Sequence, residues 1–160
     1  MKMRFRPALV TLAAIAGFAL MPFEAPLCAP TPVTAVIETT MGTIEVRLDA
    51  TRAPVTVKNF TDYAESGFYD GTIFHRVIEG FMIQGGGFTA DGQHKETDSI
   101  KGEFDGNGVT NPLKHTRGVL SMARTMFPNS ASSQFFIMHE DAPHLDGQYA
   151  AFGKVTDGIE

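Results

Sequence analysis

Residues 74–88 read Phe74-His75-Arg76-Val77-Ile78-Glu79-Gly80-Phe81-Met82-Ile83-Gln84-Gly85-Gly86-Gly87-Phe88. One permanent cation and one amide sit among large apolar side chains, and three consecutive glycines follow. Alternation sorts the stretch as β-strands. Phe81 and Ile83 point one way and Met82 and Gln84 the other, while Arg76 shares a face with Phe74 and Ile78. A second stretch, Ser132-Ser133-Gln134-Phe135-Phe136-Ile137, repeats the mix of amide and aromatics. If the two strands are neighbours, Met82, Gln84, Gln134 and Phe136 share one surface. The result is an apolar groove with a few hydrogen-bond donors. It contains no nucleophile, acid–base pair or metal cage, which suits a reaction that forms no covalent bond to the protein.

Each of these residues also has a plainer reading. Phe81, Met82 and Phe136 are residue types that usually fill a core. Arg76 within a β-branched strand is costly if buried unpaired, so it either turns to solvent or caps a groove. Gln84 and Gln134 are harder to dismiss, because an unpartnered buried amide costs about 1–3 kcal/mol. The five histidines at 75, 94, 115, 139 and 144 lack metal-ligand spacing. Ser132-Ser133 lacks the context of a nucleophile elbow. Gly85-Gly86-Gly87 is followed by neither Lys-Ser/Thr nor a helix start, so it lets backbones approach closely or forms a bulge.

Outward from this stretch, Val33–Thr39 and Thr43–Leu48 are β-branched runs joined through Thr40-Met41-Gly42, a hairpin. Pro54 opens a helical pattern in which Val57, Phe60, Tyr63 and Ala64 recur at three and four, ending near Gly67. Strands are expected at 72–78, 81–84, 118–123, 134–138 and 150–155. Residues 85–116 and 124–133 read as irregular loops. The 160 residues include 13 Phe, 16 Gly, 9 Pro and no Trp, and 43% are hydrophobic, which fits one mainly β domain with a Phe-rich core. A net charge of −5 supplies no basic stripe for nucleic acid.

Residues 1–29 are expected to lie outside the fold. Lys2, Arg4 and Arg6 form a basic start, residues 8–21 an apolar run, and Pro22, Pro26, Pro30 and Pro32 an exit. That is the pattern of a cleavable signal peptide, and it implies a periplasmic or secreted domain from residue 30 to 160, with no membrane association after cleavage. The apolar run is shorter than the roughly 20 residues of a membrane span. Cys28 is the single cysteine, so no intrachain disulfide can form.

FHRVIEGFMIQGGGFTADG, GVLSMART, NSASSQFFIM and LDGQYAAFGKV, in this order and spacing, resemble the signatures of the cyclophilin-type peptidyl-prolyl isomerases, and the signal peptide suggests the exported bacterial branch. The likeness runs from about Thr34 to Glu160. It implies an eight-stranded antiparallel β-barrel with capping helices, here without the last helix and strand, and so with an open edge and an unplugged mouth. It implies that Arg76 is the catalytic arginine and that Phe81, Met82, Phe136 and Leu145 form a proline pocket. Gln84 and the Ala123–Thr125 backbone, which includes Arg124, would hold the substrate chain, and Gln134 would support the floor. His144 stands where many eukaryotic members carry a Trp that contacts cyclosporin, which implies weak binding of that drug. Tyr149 replaces a His at the rim. The implied partners are proline-containing segments of unfolded or exported proteins, with no cofactor and a monomeric state. The chemistry of X–Pro bonds agrees, because rotation about a resonance-stiffened amide needs no nucleophile, only a donor that favours the twisted state. Two other readings of the same groove are a proline-peptide binding module without catalysis and a small-ligand barrel.

Overall fold

The structure is a computed structural model that describes residues 1–6, 33–95 and 97–160. The apolar run, the proline-rich exit and Cys28 lie outside the described residues. Eight strands form one antiparallel sheet in the order β1-β2-β3-β8-β6-β7-β5-β4. They are β1 (Lys2–Arg6), β2 (Val33–Thr39), β3 (Gly42–Leu48), β4 (Thr72–Ile78), β5 (Met82–Thr89), β6 (Val119–Met122), β7 (Phe135–Met138) and β8 (Ala151–Asp157). The sheet curls into a half-barrel. One α-helix, α1 (Pro54–Glu65), and 3-10 turns at Asp105–Asn107 and Pro143–Leu145 complete the described elements.

The helical periodicity is realised. Val57, Phe60 and Ala64 are buried, and Phe60 meets Tyr69, Phe135 and Phe152 with ring centroids 5.3–5.4 Å apart. Those rings, with Ile37, Val46 and Leu120, make the fully buried interior. The N-terminus of α1 has no side-chain cap of its own. Instead the buried Glu103 carboxylate accepts from the Val55 and Thr56 amides and from the Thr56 hydroxyl.

Three expectations are corrected. First, residues 1–29 do not all lie outside the fold. Lys2–Arg6 pair with Arg-to-Lys register from Thr34 to Glu38 of β2, and Met3 is buried in the core. The sequence Lys-Met-Arg-Phe-Arg alternates charged and apolar residues, which is the period of a half-buried edge strand as well as of a basic leader. The edge of β2 expected to be open is therefore covered by this strand. Met1 also hydrogen-bonds through its backbone to Gly71 and Thr72 at the start of β4. Second, β5 does not stop at Gln84 but runs through the glycines to Thr89. A Cβ on Gly85 would lie 2.9 Å from the Phe74 ring, and one on Gly87 would lie 2.5 Å from Gln134 Cγ, so only glycine lets these neighbours close in. Third, Arg76 and Phe74 do not share a face. The β4–β5 register shifts between them, with Phe74 opposite Gly85 and Arg76 opposite Gln84, so a bulge turns Phe74 to the core and Arg76 outward. An unplugged mouth was also expected. The structure holds a hollow of about 710 Å³ lined by residues including Ile44, Phe74, Ile83, Ile137 and Ile159.

Candidate active site

Strand alternation splits the barrel wall into two faces. Phe135 and Ile137 enter the interior with Ile83, whereas Met82, Phe136 and Met138 join Ala142, Leu145 and Val119 in a second cluster on the other face. The ladder places Gln84 beside both Arg76 and Phe136, and Met82 beside Met138. Phe81 precedes β5 rather than belonging to it. Its carbonyl accepts from the His139 amide at 2.8 Å, and Gly80, with φ +70°, makes the turn before it and donates to His139 Nδ1.

A cleft of about 180 Å³ results. It is lined by Arg76, Phe81, Met82, Gln84, Ala123, Arg124, Phe136, Leu145 and Tyr149. That is below the roughly 300–1,000 Å³ of drug-sized sites and suits a single side chain. Its floor is apolar, for Met82, Phe136 and Leu145 are all buried. Tyr149 meets Phe136 edge-on with centroids 5.9 Å apart. His144 is not among the lining residues, but it stacks on Phe81 at 5.9 Å and 23°.

The polar side of the cleft is a relay of amides. Arg76 Nη1 donates toward Gln84 Oε1 at 3.5 Å, Gln84 Nε2 donates to Gln134 Oε1 at 2.9 Å, and Gln134 Nε2 lies 3.4 Å from His94 Nε2. Gln134 thus touches no cleft surface itself but orients Gln84. It is held in turn by its own strand entry, since Asn59 of α1 donates to the Ser132 carbonyl and Tyr69 to the Ser133 carbonyl. Arg76 is exposed, so its guanidinium meets the cleft without the cost of burial.

Arg124 behaves differently from what the resemblance implies for a residue acting through its backbone alone. Its guanidinium donates twice to the Gln148 carbonyl and once to Thr125, and lies over the Tyr149 ring at 4.6 Å. It fastens the two loops that form the rim. The Ala123 amide is already spent on the Gln134 carbonyl.

His115, Ser121 and Asp146 resemble a hydrolytic triad in composition. His115 Nδ1 lies 3.1 Å from Asp146 Oδ1 and Nε2 lies 3.0 Å from Ser121 Oγ. Ser121 is fully buried, however, so no substrate carbonyl can reach its hydroxyl. The trio instead props the cleft from behind. The His115 ring lies parallel to Phe136, and Asp146 follows the turn that carries Leu145. Burial pushes His115 below its ordinary value, against the pull of Asp146. Sequence reasoning passed over this support, and His94 at the end of the relay, because neither residue has a local spacing signal. Met126 and Phe127, on the loop after Arg124, are also exposed large apolar residues that drew no notice. Among the described residues no group of three or more His, Cys, Asp or Glu could hold a metal.

The comparisons agree with this geometry. The family described as Cyclophilin type peptidyl-prolyl cis-trans isomerase/CLD matches residues 34–160. The chain is 49% identical over 157 residues to Peptidyl-prolyl cis-trans isomerase A of Dickeya dadantii, covering 94% of this chain and 80% of that protein. It is 47% identical over 131 residues to Peptidyl-prolyl cis-trans isomerase B of Escherichia coli, covering 76% and 77%. Among solved structures, cyclophilin AquaCyp293 from Hirschia baltica superposes with a TM-score of 0.68 at 30% identity, over 78% of this chain and 64% of that one. A Cryptosporidium parvum cyclophilin type peptidyl-prolyl cis-trans isomerase, crystallised in the presence of the dipeptide Ala-Pro, superposes with a TM-score of 0.64 at 37% identity, over 77% and 78%. With its signature residues lining one apolar cleft, and with this family matched from residue 34 to 160, the chain belongs to the cyclophilin-type peptidyl-prolyl cis-trans isomerases.

Proposed function

We propose that this cleft rotates X–Pro bonds with Arg76 as its catalytic group, and that its clients are exported proteins. The observation that carries the reading is the arrangement of one exposed guanidinium, braced by Gln84, at the edge of the apolar floor made by Met82, Phe136 and Leu145. The proline ring enters the apolar cup and Phe81 and Tyr149 flank it. As the bond twists, resonance is lost and the proline nitrogen gains a localised lone pair. A donor directed at that nitrogen binds the twisted state more tightly than either planar state, and only such differential binding raises the rate. The barrier to be lowered is about 18–20 kcal/mol, and each 1.36 kcal/mol of differential stabilisation is tenfold in rate. Arginine suits the task because its fork of donors stays charged at every working pH.

The test is exchange of an X–Pro peptide, by protease-coupled assay or by NMR line shape. Arg76→Ala is expected to lose about 100-fold or more in kcat/KM, the scale of one removed transition-state donor, with its melting temperature little changed because Arg76 is exposed. Retention of the full rate in Arg76→Ala would refute the assignment. Binding of the peptide by the parent chain with no acceleration of exchange would favour a binding module instead.

The finer reading rests on sequence features. The basic start and apolar run support export to the periplasm or beyond, which N-terminal sequencing of the processed protein would test. His144 at the rim supports weak cyclosporin binding. The protein acts as a monomer without a cofactor, on unfolded segments rather than on nucleic acid or membrane. No helix among the described residues is long and apolar enough to cross a membrane.

A further inference from the structure

A second concavity, of about 500 Å³, shares no residue with the cleft. It lies among β3, the turn that follows it, residues 113–116 and β8. Four cations line it, Arg47, Arg52, Lys114 and Lys154, on a chain whose net charge is −5. Leu113 and Val119 contribute an apolar wall.

Two of those cations are already balanced. Arg52 pairs with Asp49 at 2.9 Å, and Lys114 lies 3.4 Å from Asp146. The other two are not. Arg47 and Lys154 stand directly opposite each other in the β3–β8 ladder, and both are exposed. Like charges in that position destabilise a sheet. Arg47 has no ion pair or side-chain hydrogen bond among the described residues, and the Lys154 amine reaches only the Thr116 hydroxyl at 3.5 Å. Glu45 and Asp157 oppose each other further along the same two strands, and Asp49, which also lines the hollow, is taken up by Arg52. A repulsive pair with no ion-pair partner among the described residues, set beside a hollow large enough for a small molecule, becomes favourable once an anion lies between its members. The two uncompensated charges match a dianion. A guanidinium fork is suited to bidentate contact with phosphate oxygens, and the wall at Leu113 and Val119 accommodates an apolar body.

We propose that the hollow between Arg47, Lys154, Arg52 and Lys114 is a binding site for a phosphate monoester, its dianionic group held by Arg47 and Lys154 and its apolar body by Leu113 and Val119. The ester is either a soluble metabolite or the headgroup of an acidic phospholipid. Phenyl phosphate is the probe, followed by amide chemical-shift titration on the full chain. Saturable shifts at Arg47, Val119 and Lys154 are expected, with phenol at equal concentration giving none there. The R47S/K154S double variant is expected to weaken binding by at least about tenfold, the scale of a lost charge-assisted hydrogen bond, while its X–Pro exchange rate stays that of the parent and reports an intact fold. Should the double variant not fold, the exposed Lys114→Ser serves in its place with a smaller loss. Sedimentation with phosphatidylcholine vesicles containing phosphatidic acid, lost in the variant, assigns the lipid source. Phenyl phosphate binding without sedimentation assigns the soluble one. Absence of saturable shifts at these amides, or an affinity unchanged in the folded double variant, overturns the proposal.

Discussion

The imidazole of His115 stacks against Phe136, with centroids 6.2 Å apart and planes 20° from parallel, while its Nδ1 lies 3.1 Å from Asp146. The floor of the cleft therefore rests on a titratable ring. Burial holds His115 below its ordinary 6.5, outweighing the pull of Asp146, with the charges of His144 and Lys114 acting in the same direction as burial. The folded chain resists protonating this ring and the unfolded chain does not. The contribution is intact above pH 6.5 and is lost as the pH falls through the lowered value. Asp146 acts further down. Burial alone would raise it, but hydrogen bonds from His115 and the charge of Lys114 hold it below 3.8, so its contribution is lost as the pH falls beneath that. His75, lowered chiefly by burial, adds to the loss on the histidine side. Urea unfolding midpoints are expected to fall between pH 7.5 and 5. His115→Gln should show a lower midpoint at pH 7.5 but a shallower decline. A slope identical to the parent's would remove His115 from this account.

Gln84 transmits position rather than charge. Replacing it with Leu removes the acceptor facing Arg76 and leaves Gln134 Oε1 without its donor. Gln84→Leu is expected to lower kcat/KM by about tenfold, one lost hydrogen bond's worth, with KM changed less than kcat. Gln134→Leu should act through the same bond. The double variant would then lose less than the sum of the two singles, because coupled residues are not additive. Strict additivity would mean that the relay does not exist.

Gly87 makes the relay possible in another way. A methyl group there would stand 2.5 Å from Gln134 Cγ and 2.7 Å from its Nε2. Gly87→Ala should therefore expel the Gln134 side chain, at about 1–3 kcal/mol of stability for overpacking, and reduce X–Pro exchange to the level of Gln134→Leu. Calorimetry and the exchange assay read the two effects separately.

Glu103 stabilises a helix 47 and 48 residues away from it in sequence. Its carboxylate receives the Val55 and Thr56 amides at 3.1 and 2.7 Å and the Thr56 hydroxyl at 2.7 Å. Glu103→Ala removes a cap and orphans a buried hydroxyl, which is expected to cost about 2–4 kcal/mol in denaturant unfolding. Glu103→Gln keeps one carbonyl oxygen and should cost less.

Those residues also show where a reading of the sequence ends. The strands at 33–39 and 72–78 and the helix from Pro54 were legible because burial leaves a period of two or of about 3.6 in the chain. The two faces of β5 and β7, and with them the grouping of Met82, Gln84 and Phe136, followed from the same alternation, whereas the place of Arg76 beside them came from the resemblance. The bulge at His75 was not legible, since one extra residue shifts the parity of everything before it without altering composition. The extent of β5 was hidden by glycine, which is a poor strand former on average but the only residue that fits against Phe74 and Gln134. Glu103 looks like any loop acid, because its partner is distant in sequence. Arg124 could be placed at the rim, but nothing local showed that its side chain would clamp Gln148.

The strand at residues 2–6 carries a final implication. It zips onto β2, sends Met3 inward and ties Met1 to Gly71 and Thr72. If an export protease excises this leader, it strips a rung from a finished ladder. Precursor and processed chain are then two distinct folding problems: in the first the seam along β2 is stitched by residues 2–6, and in the second those β2 amides and carbonyls need a different partner.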